Sequence, residues 1–216
     1  MPLDDDVRRA MARWPSVPAM HGWLRLTRRG RWMLIDRGRP GFDEALHGQG
    51  SEITSPPIVD FIGRNYLCDE AGHWYWQNGP QRVFVDLDLA PLYFRVMTGA
   101  TDAVATGLIT HTGYPVSRID RVALDAQGNL WLDTDLGPGC IDDRDLAQLE
   151  ISLDPDSAAP RASAMDRDAD AVDLEAQAVD FDAQMSQLRL LGDHPVERLD
   201  QSPAVCFRFV SRPRPD

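Results

Sequence analysis

Tyr66-Leu67-Cys68-Asp69-Glu70-Ala71-Gly72-His73-Trp74 is the stretch whose reading decides the fold. Apolar and aromatic residues flank an Asp and a Gly three positions apart. The Asp carboxylate can bond the turn backbone, and Gly accepts the left-handed conformation that leads into the returning strand, so the stretch reads as a β-hairpin. The spacing returns in Val122-Ala123-Leu124-Asp125-Ala126-Gln127-Gly128-Asn129-Leu130-Trp131. Trp23-Leu24-Arg25-Leu26-Thr27-Arg28-Arg29-Gly30-Arg31-Trp32 is a third case, with Thr in place of Asp. The last two-thirds of each longer copy also run alike. After Gly72 come Trp74-Tyr75-Trp76, Gly79-Pro80 and Val83 to Leu89; after Gly128 come Leu130-Trp131-Leu132, Gly137-Pro138 and Ile141 to Leu146. Both read as aromatic strand, Gly-Pro turn and apolar run, the pattern of a duplicated β-meander.

Working outward, Asp4 to Asp6 precede Val7, Ala10, Met11 and Trp14 at helical spacing, with Pro15 as the stop. Trp14, Trp23 and Trp32 are expected to pack that helix on the first hairpin. Residues 38–50 read as a loop. Thr54-Ser55-Pro56-Pro57 opens a second helix that buries Ile58, Val59, Phe61 and Ile62 and ends near Asn65. Strands are expected over 83–89, 92–96, 104–110, 119–124, 129–133 and 148–153. Residues 154–170 read as an acidic linker, Leu174 to Leu188 as a helix, and 196–199 and 204–210 as closing strands. The fold class is therefore α+β: mostly antiparallel hairpins and meanders, a duplicated β unit and a few short helices. The organisation expected is a helix and hairpin over 1–50, meander units over 51–100 and 101–153, and linker, helix and terminal strands over 154–216.

At 216 residues with 43% hydrophobic content, the chain can bury a core without staples. Cys68, Cys140 and Cys206 are odd in number and far apart, which argues for free thiols in a cytoplasmic protein. The first residues lack the basic and apolar regions of a signal peptide, and no run is long and apolar enough to span a membrane. A net charge of −12 argues against nucleic acid or anionic lipid as partner. All 22 basic residues are Arg, and nine lie within residues 1–40, whereas residues 154–182 carry nine acids.

The string Ile53-Thr54-Ser55-Pro56, Phe61-Ile62-Gly63-Arg64-Asn65-Tyr66, Asp69 to Tyr75, Gln77 to Val83, Ala90-Pro91 and Thr110-His111-Thr112-Gly113 resembles an uncharacterised proteobacterial family defined only as a domain of unknown function. The aromatic pair after Gly72, followed by Gly79-Pro80 and Arg82, is faintly similar to a second uncharacterised bacterial family, whose repeated β motif suggested a signalling role. Neither resemblance brings catalytic residues.

Four groups of residues bear on chemistry. His111, between Thr110 and Thr112, could act as a base if a partner oriented it, or could be an ordinary strand-end histidine. Asp142-Asp143-Arg144-Asp145 offers carboxylates to a cation, or caps a short helical turn. Arg82, after Asn78-Gly79-Pro80, could hold an anion with Trp74 and Trp76 as an apolar wall. His21, His47, His73, His111 and His194 show no metal-ligand spacing, and no cofactor motif is present. The leading expectation is a non-catalytic binding or regulatory module for a protein partner or a small anionic ligand, with a site at Arg82 and His111 walled by Trp74 or Trp76. A hydrolase-like enzyme pairing His111 with Asp142 or Asp143 is the first alternative. A structural scaffold or homo-oligomerisation module is the second.

Overall fold

The computed structural model describes residues 3–97, 106–149, 151–153, 188–191 and 194–215. Two mixed sheets carry the fold, and the first grows directly out of the hairpin signals. Strand β1 (Met20–Leu26) turns at Thr27–Gly30 into β2 (Trp32–Leu34), which pairs with β3 (Ser51–Glu52). Strands β4 (Tyr66–Cys68), β5 (Trp74–Asn78) and β6 (Gln81–Leu87) form an antiparallel meander, and β6 then lies parallel to β1. The resulting order is β3-β2-β1-β6-β5-β4.

The same plan repeats with β7 (Leu92–Val96) and β8 (Leu108–Thr110) as hairpin and β9 (Ile119–Leu124), β10 (Leu130–Thr134) and β11 (Gly139–Ile141) as meander. Strand β11 returns parallel to β7 just as β6 does to β1. Even the short β3 has a counterpart, a single bridge from Pro115 to Ile109 of β8. Strands β14 (His194–Arg198), β13 (Leu188–Leu190) and β12 (Ile151–Leu153) extend this sheet beyond β9. The duplicated unit thus comprises a hairpin and a meander, about residues 20–87 and 92–141, so the first hairpin shares a sheet with the first meander.

The turns behave alike because the same atoms close them. Asp69 N–H bonds His73 O at 3.0 Å and Asp125 N–H bonds Asn129 O at 3.1 Å. Gly72 and Gly128 donate back to Asp69 and Asp125, with φ of +83° and +80°. Thr110 to Tyr114 is a further copy: Thr110 N–H bonds Tyr114 O at 2.8 Å, and Gly113 has φ +86°.

Helix α1 (Asp5–Arg13) buries Val7 and sits against the β5–β6 turn, but Trp14 is 50% exposed beneath the Arg13 guanidinium and does not enter the core. Trp32 does. Helix α3 (Pro56–Arg64) starts at the Ser-Pro-Pro signal and buries Ile62, leaving Ile58 on the solvent side. Two short helices interrupt stretches expected otherwise. Helix α2 (Glu44–His47) is capped by the Asp43 carboxylate, which accepts from Leu46 N–H, and α4 (Pro203–Cys206) replaces part of the expected closing strand because Ser202-Pro203 is itself a helix start. The expected linker and the helix around Leu174 lie outside the described residues. One continuous apolar core, including Leu24, Tyr66 and Trp74 from the first unit and Phe94, Trp131 and Leu132 from the second, joins the two sheets.

Candidate functional site

Where the two units meet, a cleft of about 370 Å³ opens between the Asp69–Gly72 turn, the Gly137-Pro138 turn and the segment after α4. Its walls are Tyr66, Trp74, Leu136, Phe207 and the rim residues Cys68, Glu70 and Arg208. Gly-Pro turns occur at equivalent places in both units, yet they meet different neighbours. Gly79 lies near Ala10 of α1, whereas a Cβ on Gly137 would come within 3.0 Å of the Trp74 ring, so glycine there lets the second unit close on the first.

The third wall is a clamp. Helix α4 ends in a Schellman motif: Phe209 N–H bonds Ala204 O at 3.0 Å and Arg208 N–H reaches Val205 O, which places Arg208 in the left-handed region at φ 55°. That turn sends Phe207 and Phe209 onto the face of Trp131 in the second unit, with ring centroids 5.5 and 5.8 Å away. Val210 then donates to Gly72 O and Ser211 O accepts from Leu87 N–H, both in the first unit. Gly72 must be glycine for this contact, since a Cβ would stand 2.3 Å from Arg208 O.

Trp74, like Trp76 and His111, carries a buried nitrogen with unspent bonding capacity. It is 3% exposed, and its indole N–H has no hydrogen-bond partner among the described residues. Trp131, also buried, gives its N–H to Asp125 at 2.9 Å. A buried donor left unpaired costs about 1–3 kcal/mol, and because this atom is itself covered, a ligand in the cleft reaches it only if the wall shifts. Asp69 is already engaged: burial alone would raise its pKa, but bonds from His73 and Ala71 hold it below the usual carboxylate range. Partial burial, reinforced by Asp69, pushes the Cys68 thiol up to about 11.

The expected site residues do not share one cavity. Arg82 pairs across the sheet with Gln77 and stacks on Tyr75, 4.0 Å from the ring centroid, in a separate cleft with Met11, Trp14 and Phe84. Side chains alternate along a strand, so Tyr75 and Arg82 face one side of the sheet and Trp74 and Trp76 the other. Trp76 meets Phe61 of α3. His111 lies on the Trp74 side but deeper, ringed by Trp32, Tyr66 and Tyr93 at centroid distances of 5.5 to 6.0 Å. Its Nδ1 accepts weakly from Tyr93 N–H at 3.3 Å, its Nε2 has no partner among the described residues, and burial pushes its pKa down to about 3. The hydroxyls flanking it are spent on the turn: Thr110 Oγ1 accepts from Tyr114 N–H and bonds Thr112.

Neither member of the hydrolase pair is free to act: aromatic rings enclose His111 and burial weakens it as a base, and Asp142 is bonded by the Arg144 guanidinium, which holds its pKa down to about 2. Asp145 likewise accepts from Val96 N–H and Arg95. Among the described residues no group of His, Cys, Asp and Glu is arranged to hold a metal ion. Sequence reasoning picked out Trp74 but missed Gly137, Phe207 and Arg208; the repeated Gly-Pro turn was the available clue to the first.

The chain belongs to the family described as protein of unknown function (DUF2946), whose model, DUF2944, matches residues 3–192. Among solved structures it is similar to a DUF1285 family protein from Silicibacter pomeroyi DSS-3, at 18% identity and a TM-score of 0.42, covering 60% of this chain and 68% of that one. It is also similar to a DUF1285 family protein from Shewanella baltica OS155, at 14% identity and a TM-score of 0.41, covering 58% and 88%. No curated protein matches. No helix among the described residues is long and apolar enough to cross a membrane.

Proposed function

We propose that the chain is a non-catalytic binding module whose ligand occupies the cleft between the duplicated units. The observation that carries this reading is the cleft itself, walled by Tyr66, Trp74 and Phe207, with the buried Trp74 N–H beside it left without a partner among the described residues. Aromatic surfaces from Tyr66, Trp74 and Phe207 favour a small planar ligand, and the indole favours one with a hydrogen-bond acceptor at its edge. Because the clamp spans both units, a ligand seated there touches each of them, which suits a regulatory role in which binding stiffens the whole chain. The free thiols Cys68, Cys140 and Cys206 fit a reducing compartment such as the cytoplasm.

A thermal-shift screen of planar heteroaromatic metabolites tests the proposal, since a ligand of the native state raises the melting temperature by mass action. A true ligand should bind Trp74→Phe roughly five- to tenfold more weakly, the loss of one neutral hydrogen bond, and Trp76→Phe as well as the parent. A panel without a stabilising compound, or compounds indifferent to Trp74→Phe, would overturn it.

A further inference from the structure

A third, separate pocket of about 180 Å³ lies where the parallel pair β1–β6 meets the C-terminal tail. In a chain of net charge −12 it gathers Arg25, Arg37, Arg212 and Arg214 against Glu44, Asp86 and Asp88, a local excess of one positive charge. The charges are unevenly spent. Asp88 is saturated by the Arg25 fork, at 2.6 and 2.8 Å. Arg37 is anchored by its Nε on Gly22 O at 2.6 Å, and Gly22 makes room for it, since a Cβ there would stand 2.8 Å from that nitrogen. Its Nη1 and Nη2 donate to the two carboxylate oxygens of Glu44, at 2.6 and 3.3 Å, and Glu44 is largely exposed at the rim. Asp86 is buried and takes one bond from Arg214 at 3.2 Å. Burial raises the Asp86 pKa from its ordinary value, while Arg214, Arg212 and Arg37 all pull it down. Arg212 forms no ion pair with a described residue.

We propose that this pocket binds a tetrahedral oxyanion, the phosphate group, with Arg212 as its principal donor and Arg37 and Arg214 completing the cradle. Guanidinium groups that converge from the β2 side and from the tail suit an acceptor with oxygens pointing in several directions better than the two coplanar oxygens of a carboxylate. The site is independent of the cleft at Trp74, although both are walled by the same C-terminal segment.

Isothermal titration of the full chain with inorganic phosphate, and in a parallel arm with glycerol 3-phosphate, tests the assignment and separates a free phosphate from a phosphate ester. Saturable binding that weakens with added sodium chloride is expected in at least one arm. Arg212→Ala should raise that Kd roughly tenfold or more, the loss of a charge-assisted bond. Arg212 is exposed and forms no ion pair with a described residue, so the melting temperature of the variant should stay close to that of the parent. Arg118→Ala, which alters an exposed arginine paired with Asp120 elsewhere, should bind as the parent does. No saturable binding in either arm, or an affinity untouched by Arg212→Ala or equally weakened by Arg118→Ala, would overturn the proposal.

Discussion

Lowering the pH from 7 to 5 should charge His111 in the unfolded chain while leaving it neutral in the folded one. The ring is enclosed by Trp32, Tyr66 and Tyr93, and burial takes its pKa down to about 3, against an ordinary value near 6.5. Because the folded value is depressed for a base, the unfolded state binds more protons throughout this window. Stability is therefore fully present above about pH 6.5 and is lost as the pH falls toward 3. Between pH 7 and pH 5 the loss from this one residue is about 2 kcal/mol, from the ratio of proton-binding terms in the unfolded state. Urea denaturation at pH 7, 6 and 5, with the protein compared with His111→Phe, isolates it. The variant forfeits the weak bond from Tyr93 N–H, an offset that does not change with pH and so drops out of the comparison. Exposed histidines common to both proteins cancel as well. The parent should lose about 2 kcal/mol more than the variant over this interval. Parallel pH profiles, or a directly measured His111 pKa near 6.5, would refute the argument that the ring is sealed.

Two further predictions use the repeat as its own control. Gly72 and Gly128 occupy the same turn position at nearly the same φ, but nothing lies within 4 Å of a Cβ on Gly128, whereas one on Gly72 would strike Arg208 O at 2.3 Å. Gly128→Ala should therefore cost about 1–2 kcal/mol, the left-handed penalty alone. Gly72→Ala should cost about 1–3 kcal/mol more because the clamp must shift, and equal losses in denaturant titration would show that the clamp contact is not tight. Asp125 accepts from Gln127, from both nitrogens of Asn129 and from Trp131. Asp125→Ala should lower unfolding free energy by about 2–3 kcal/mol, since it strands a buried indole N–H, and a loss under 1 kcal/mol would show that water replaces the carboxylate.

The hairpin turns were legible because their demand is local: a carboxylate or hydroxyl at one position and a left-handed residue three later determine the backbone within five residues. Thr110 to Tyr114 obeys that rule as well as Thr27 to Arg31 does, and reading Thr110-His111-Thr112-Gly113 as chemistry gave its hydroxyls a task the turn had already claimed. The parallel pairings of β1 with β6 and β7 with β11 were not legible, since alternation says which face of a strand is buried but not which distant strand lies beside it. Burial of His111, the clamp and the arginine pocket all depend on those distant pairings.

The orphaned indole shows how far local logic extends. In the second unit the residue six positions after the turn Asp is Trp131, on the strand face that the Asp125 carboxylate reaches, and the bond forms. In the first unit that position holds Tyr75, and Trp74 lies one residue earlier, on the opposite face. Asp69 then bonds His73 instead, the place Asn129 fills in the other copy. Strand alternation alone therefore removes the acceptor from Trp74. Only the tertiary arrangement, which brings Gly137 and Phe207 around the ring instead of another carbonyl, makes the residue that lacks a partner a wall of the cleft.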